Sequence, residues 1–179
     1  MSDSIERLLE TSRFAVVEES IARQDGRVAK CQYVVHPGAV AILPLVDQDH
    51  LCLIRNHRLT VRKTLWEIPA GTREPNEGPL ETARRELEEE TGYRAGRWEP
   101  LVEFFPSPGT SSERIHVFVA SELTAGEPRR EENEEIENAI VSWDDALAML
   151  DRGEIEDGKT IVALLAYARR SARREGEPF

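Results

Sequence analysis

Residues 71–93, GTREPNEGPLETARRELEEETGY, constrain the fold more than any other stretch, because they dictate a turn-rich loop that enters one helix with sharply defined ends. Pro79 suits the first helical turn, where its missing N–H costs nothing. Gly92 follows Thr91 as the stop, since glycine takes the left-handed conformation past a helix end without a Cβ penalty. Between them Leu80, Ala83 and Leu87 recur at helical spacing and predict the buried stripe. Glu86 and Glu90 lie one turn apart, with Glu89 between them, so the three carboxylates project from one neighbourhood. Carboxylates that close repel unless a cation sits among them, and a hard divalent ion such as Mg²⁺ or Mn²⁺ takes oxygen ligands. The plainer outcome is a solvated helix face on which Arg84 and Arg85 pair with Glu88 and Glu89.

The length of the fixed pattern favours the metal. Gly71, Glu77, Arg85, Glu86, Leu87, Glu89, Glu90 and Gly92 match the fixed positions of the Nudix hydrolase signature, which this stretch resembles. Tyr93 stands where a smaller aliphatic residue is usual. The lead-in Trp66-Glu67-Ile68-Pro69-Ala70-Gly71 is similar to that family's as well. The resemblance implies an α/β fold, an α/β/α sandwich around a mixed sheet. It also implies a metal shell of Glu86, Glu89, Glu90 and the main-chain carbonyl of Ala70, holding Mg²⁺ or Mn²⁺. Arg85 and Glu77 are then structural, tying the helix glutamates to the preceding loop.

Ahead of the signature, residues 14–17 and 28–35 read as a hairpin turned at Gln24-Asp25-Gly26. Alone such a unit is marginal and must pack on something. We therefore divide the chain into an N-terminal antiparallel appendage, 1–35, and a hydrolase domain, 36–179. The resemblance implies a homodimer, because related sugar-nucleotide hydrolases extend such a piece to the partner subunit. Residues 39–46 form a continuous apolar strand, and 51–55 a second one after the Asp47-Gln48-Asp49 turn. Such runs suit strands buried on both faces, hence a sheet covered by helices. The four histidines follow no metal-ligand spacing.

Several further segments bear on substrate. Arg55 and Arg58 occupy the place of an arginine-rich strand end in the family's ADP-ribose hydrolases, and guanidinium forks suit phosphate or ribose. After a strand at 98–105, Pro106-Ser107-Pro108-Gly109 falls where those enzymes carry a diagnostic proline. On this resemblance Arg55, Arg58, Glu67, Ser107, Pro108, Gly109 and Glu113 are the expected substrate contacts. A strand at 114–121 precedes residues 126–138, an acidic stretch read from composition as a mobile loop. Its Glu132-Asn133-Glu134 resembles the loop that supplies the base in several such enzymes. Glu132 is the leading catalytic base, Glu134 a metal ligand or understudy, and Glu89 the next in line. A strand at 139–143, a helix at 146–150 capped from Ser142, and a helix at 160–168 close the domain.

Net charge is −11, which argues against general nucleic-acid binding, though a local cation among carboxylates still admits a small pyrophosphate. Cys31 and Cys52 form no C-x-x-C pair and read as reduced, buried thiols of a cytoplasmic protein. The acidic start is unlike a signal peptide, and the longest apolar run is too short for a bilayer. The expected reaction is hydrolysis of ADP-ribose to AMP and ribose 5-phosphate, a pyrophosphohydrolase acting on a small nucleoside diphosphate sugar. The alternatives are GDP-mannose or a dinucleoside polyphosphate as substrate, or a Nudix domain that only senses ADP-ribose.

Overall fold

The structure is a computed structural model that describes residues 5–130 and 135–175. In chain order its first elements are β1 (Ile5–Glu10), β2 (Ala15–Ala22), β3 (Val28–Val35), β4 (Ala39–Pro44), β5 (His50–Arg58), β6 (Lys63–Glu67) and β7 (Ala70–Thr72). There follow α1 (Pro79–Thr91), β8 (Arg94–Phe104), β9 (Ile115–Thr124), β10 (Ile136–Ser142), α2 (Trp143–Asp151) and α3 (Gly158–Glu175).

β4 is the axis, because its apolar run leaves neither face for water. It pairs with β9 in parallel and with β7 antiparallel, inside a mixed sheet of order β7-β4-β9-β8. Val40 and Ile42 face α1, where they pack with Ala83, Leu87 and Ala120. Ala41 and Leu43 face the larger core, built with Leu51, Leu53 and Ile68 and with Ala146, Met149, Ala163 and Leu164 of the other two helices. A second sheet, β10-β5-β6, is antiparallel throughout. The α/β arrangement with helices on both faces of a mixed sheet is as expected.

At the N-terminus the expected hairpin is a three-stranded sheet, β1-β2-β3. β1 escapes periodicity reasoning because every residue of it is exposed, so no apolar alternation marks it. The sheet is clipped to its own domain where Val34 N–H donates to Thr110 O (2.9 Å) and Ser112 N–H to Val34 O (2.9 Å). Cys31 corrects the expectation of two buried thiols: it is exposed, while Cys52 is buried. The reason is that β3 belongs to this thin outer sheet and β5 to the core. Burial accordingly pushes the Cys52 thiol up to about 11.

Candidate active site

Local rules make α1 the rigid part of the site. Pro79 opens it, and the Gly78 N–H, just outside, donates to Glu81 Oε2 (2.8 Å). Gly92 closes it at φ 80°, its N–H donating to Glu88 O (2.9 Å). Ala83 and Leu87 are buried as the spacing requires, and Leu80 is half-buried.

Glu77 and Arg85 lock the loop onto the helix. The Arg85 guanidinium donates from Nε to Glu77 Oε1 and from Nη2 to Glu77 Oε2, both at 3.1 Å, and from Nη2 to Thr72 O at 3.3 Å. Its Nη1 spans Glu86 Oε1 (2.7 Å) and Glu89 Oε2 (3.0 Å). Burial works against this charge, yet the hydrogen bond to Glu77, the field of Glu86 and the hydrogen bond to Glu89 hold the guanidinium well above its usual range. Glu77 is depressed in turn, by Arg85 first and by the Thr82 hydroxyl (2.9 Å). The carboxylate repulsion foreseen in the sequence is thus met from within the chain, and Arg85 is the tie expected of it.

The glutamates do not all converge. Glu90 is only 2% exposed and accepts from the Ala70 N–H (3.0 Å), fastening β7 to the last turn of the helix. Glu86 lies against Gly71, where an added Cβ would come within 1.9 Å of its Oε1. Among the described residues, no group of three or more His, Cys, Asp or Glu side chains is gathered closely enough to hold a metal ion. The donor set nevertheless fits a hard divalent cation in kind: carboxylate oxygens only, on one rigid turn, beside the Ala70 main chain. Such an ion would take Glu86 and Glu89 in competition with Arg85.

A buried ion network stands behind the Ala70 turn. Glu67, only 1% exposed, accepts a two-pronged bond from Arg58 (Nε 2.8 Å, Nη2 2.6 Å) and a third from Lys159 Nζ (2.6 Å). Burial would raise the Glu67 pKa, but these two cations outweigh it and lower it. Lys159 also donates to Asp157 (2.9 Å), whose other oxygen accepts from Thr160 N–H (3.0 Å) at the start of α3. The Thr160 hydroxyl in turn accepts from Ile68 N–H (2.9 Å). Arg58 and Glu67 were expected among the substrate contacts; the structure turns them onto each other. Asp157, Lys159 and Thr160 were missed, although an Asp placed just before an apolar helical run is a helix-start signal.

The Pro106 region stands at the edge of a recess of about 500 Å³ lined by Phe104, Phe105, Glu113, Ile115, Asp157 and Lys159 among others. Ile115 and Thr72 both pair with Ala39, so this recess opens at the sheet end where β7 enters the signature loop. Ser107 closes a turn, accepting from the N–H groups of Thr110 (3.0 Å) and Ser111 (2.9 Å), with Pro108 and Gly109 within the turn. Arg55 lies apart from Arg58, over the Trp66 ring (5.5 Å) and 3.5 Å from Glu137.

In the acidic stretch 126–138, residues 126–130 carry no regular secondary structure, in keeping with a loop. Arg129 and Arg130 are bonded to the end of α1, and β10 begins at Ile136 rather than at 139, pairing with β5. Ile136 is buried, which a compositional reading of the segment undervalues. Glu132 and Glu134 lie outside the described residues.

Comparison with known proteins agrees with this geometry. The NUDIX domain description matches residues 35–164. The chain is 40% identical over 148 residues to an ADP-ribose pyrophosphatase of Bacillus subtilis, covering 82% of this chain and 80% of that one. It is 34% identical over 158 residues to an ADP-ribose pyrophosphatase of Mycobacterium tuberculosis, covering 86% and 75%. A solved structure described as an ADP compounds hydrolase superimposes with a TM-score of 0.83 at 24% identity, over 98% of this chain and 95% of that one.

Proposed function

The chain belongs to the NUDIX family, and on that premise we propose that it hydrolyses the pyrophosphate bond of ADP-ribose to AMP and ribose 5-phosphate. The observation that carries the reading is the carboxylate set of α1, held by Arg85 and Gly71 at the same sheet end as the recess beside Pro106. The similarity to the two ADP-ribose pyrophosphatases supplies the substrate.

Family membership makes the enzyme divalent-metal dependent, and Mg²⁺ is the ion we propose, with Mn²⁺ as substitute. Glu86, Glu89, Glu90 and the Ala70 carbonyl would hold it, and it would supply charge neutralisation for the pyrophosphate and a more acidic water. The remaining work falls to the chain itself. Arg85 keeps Glu86 and Glu89 from repelling each other and sets their spacing. Glu67 holds Arg58 rigid behind the Ala70 turn. Glu132 takes the proton as the water oxygen bonds to phosphorus and the bridging oxygen departs, with Glu134 as understudy. The recess lined by Phe105, Glu113 and Lys159 receives one sugar-bearing half of the substrate.

We further propose a cytoplasmic homodimer joined through the N-terminal sheet, on which Ile5 and Val28 (each 59% exposed), Leu8 and Leu9 stand in water in the single chain. No described helix is long and apolar enough to cross a membrane. Sedimentation at micromolar protein tests the dimer, and a fully active monomer refutes it. The reaction is tested by nucleoside phosphate release with Mg²⁺ or Mn²⁺, AMP from ADP-ribose, GMP from GDP-mannose and the corresponding nucleotides from dinucleoside polyphosphates. ADP-ribose should show the highest kcat/KM. The reading fails if any other member of the panel exceeds it tenfold.

A further inference from the structure

Helix α1 ends in a way its own sequence does not provide for. The last carbonyls of a helix have no partner within it, and its last turn frays unless something else bonds them. Here Glu89 and Glu90 sit in that last turn, and it contains no basic residue. Glu88 O is met by the helix's own cap, the Gly92 N–H. The next three carbonyls are met by residues some forty positions downstream. Glu89 O accepts from the Arg129 backbone N–H (2.8 Å), Glu90 O from Arg130 Nε (3.0 Å), and Thr91 O from Asn138 Nδ2 (2.9 Å). Arg130 Nη2 donates to Asn138 Oδ1 (2.9 Å), closing the two side chains into one clamp. Asn138 is held in register opposite Ile54 of the core strand β5.

Two further features belong to the same joint. A Cβ on Gly92 would meet Gly126 O at 2.3 Å, so the downstream chain rides directly on the helix cap. Arg129 Nη2 also reaches Glu88 Oε1 (2.8 Å), and with Arg130 it brings positive charge to the negative end of the helix dipole.

We propose that Arg130 and Asn138 are positioning residues: they fix the last turn of α1, and with it the Glu89 and Glu90 carboxylates, without touching substrate. The inference rests on the reading of those glutamates as metal ligands. Residues that orient a ligand from behind are typically worth about 10–100-fold in metal affinity.

The test uses the full chain and five variants, Arg130→Ala, Arg130→Lys, Asn138→Ala, Glu90→Gln and, as a control, Met149→Ala in the distant core. Amide hydrogen exchange of residues 90–93 is followed without metal, Mn²⁺ affinity is measured by titration, and KM and kcat are determined separately. Arg130→Ala should speed exchange of those amides about tenfold, weaken Mn²⁺ about tenfold and lower kcat more than it changes KM. Arg130→Lys, which keeps a donor for Glu90 O, should recover part of each effect. Asn138→Ala, a smaller deletion, should act in the same direction, and Met149→Ala should lower the melting temperature without moving Mn²⁺ affinity. Unchanged exchange in both clamp variants overturns the proposal, and so does faster exchange with unchanged Mn²⁺ affinity. Mn²⁺ binding that Glu90→Gln leaves intact instead refutes the metal reading, and the inference falls with it.

Discussion

Replacing Gly71 by alanine separates activity from stability more cleanly than any other change at this site. The added Cβ would lie 1.9 Å from Glu86 Oε1 and 2.0 Å from Glu86 Cδ. An ordinary non-bonded contact is about 3.5 Å, so the carboxylate has to retreat by about 1.5 Å. What moves is the far end of a flexible side chain, and Gly71 does not need a left-handed backbone conformation. The cost to folding is therefore under about 1 kcal/mol, partly offset by the smaller entropy of the unfolded alanine chain. The cost to function is larger. Glu86 loses its 2.7 Å bond to Arg85, and a displacement of about 1 Å at a catalytic group typically costs about 10²-fold. Gly71→Ala should melt within about 3 °C of the parent while kcat for ADP-ribose falls at least about 10²-fold. A kcat within threefold of the parent, in a protein that folds normally, would refute the assignment of Glu86 to the reaction.

Three other outcomes are expected. Glu90→Gln should lower turnover by at least about 10²-fold with little loss of stability, since the amide oxygen still accepts from the Ala70 N–H; near-full activity sinks the metal reading. Glu67→Gln should cost about 3 kcal/mol, about 10 °C in melting temperature, by leaving Arg58 and Lys159 without their shared carboxylate. Because the Glu67 pKa is lowered in the folded state, its contribution is present above the unfolded value near 4.3 and is lost as pH falls through the folded value. The stability gap between parent and variant should therefore narrow below about pH 4, and a gap that widens there would show the sign to be wrong. Glu132→Gln should lower kcat by about 10²–10⁴-fold with KM changed less than about threefold, whereas Glu134→Gln should weaken metal binding. If both leave kcat near the parent's, Glu89 becomes the base.

What the sequence determined by itself is local or periodic. Pro79 and Gly92 marked the ends of α1 because each acts through its own backbone, whatever surrounds it. The unbroken apolar run of β4 announced a strand covered on both faces, and Ser142 announced the start of α2 through a bond to the Asp145 N–H (3.0 Å). The signature made Arg85, Glu86, Glu89 and Glu90 legible as a group, since one helical turn fixes their spacing.

Only the tertiary structure decided where each charge found its partner. Composition could not separate Arg129 and Arg130, bonded to the end of α1, from the glutamates that follow them. Nor could it show that Glu90 would turn to the Ala70 N–H while Glu86 and Glu89 shared Arg85. Glu67 and Lys159 are 92 positions apart, and their bond exists because the start of α3 packs against the end of β6. The physical reason is range. Caps and periodicity are set within about one helical turn of chain, whereas the partner of a buried charge is whichever group the fold delivers within about 3 Å.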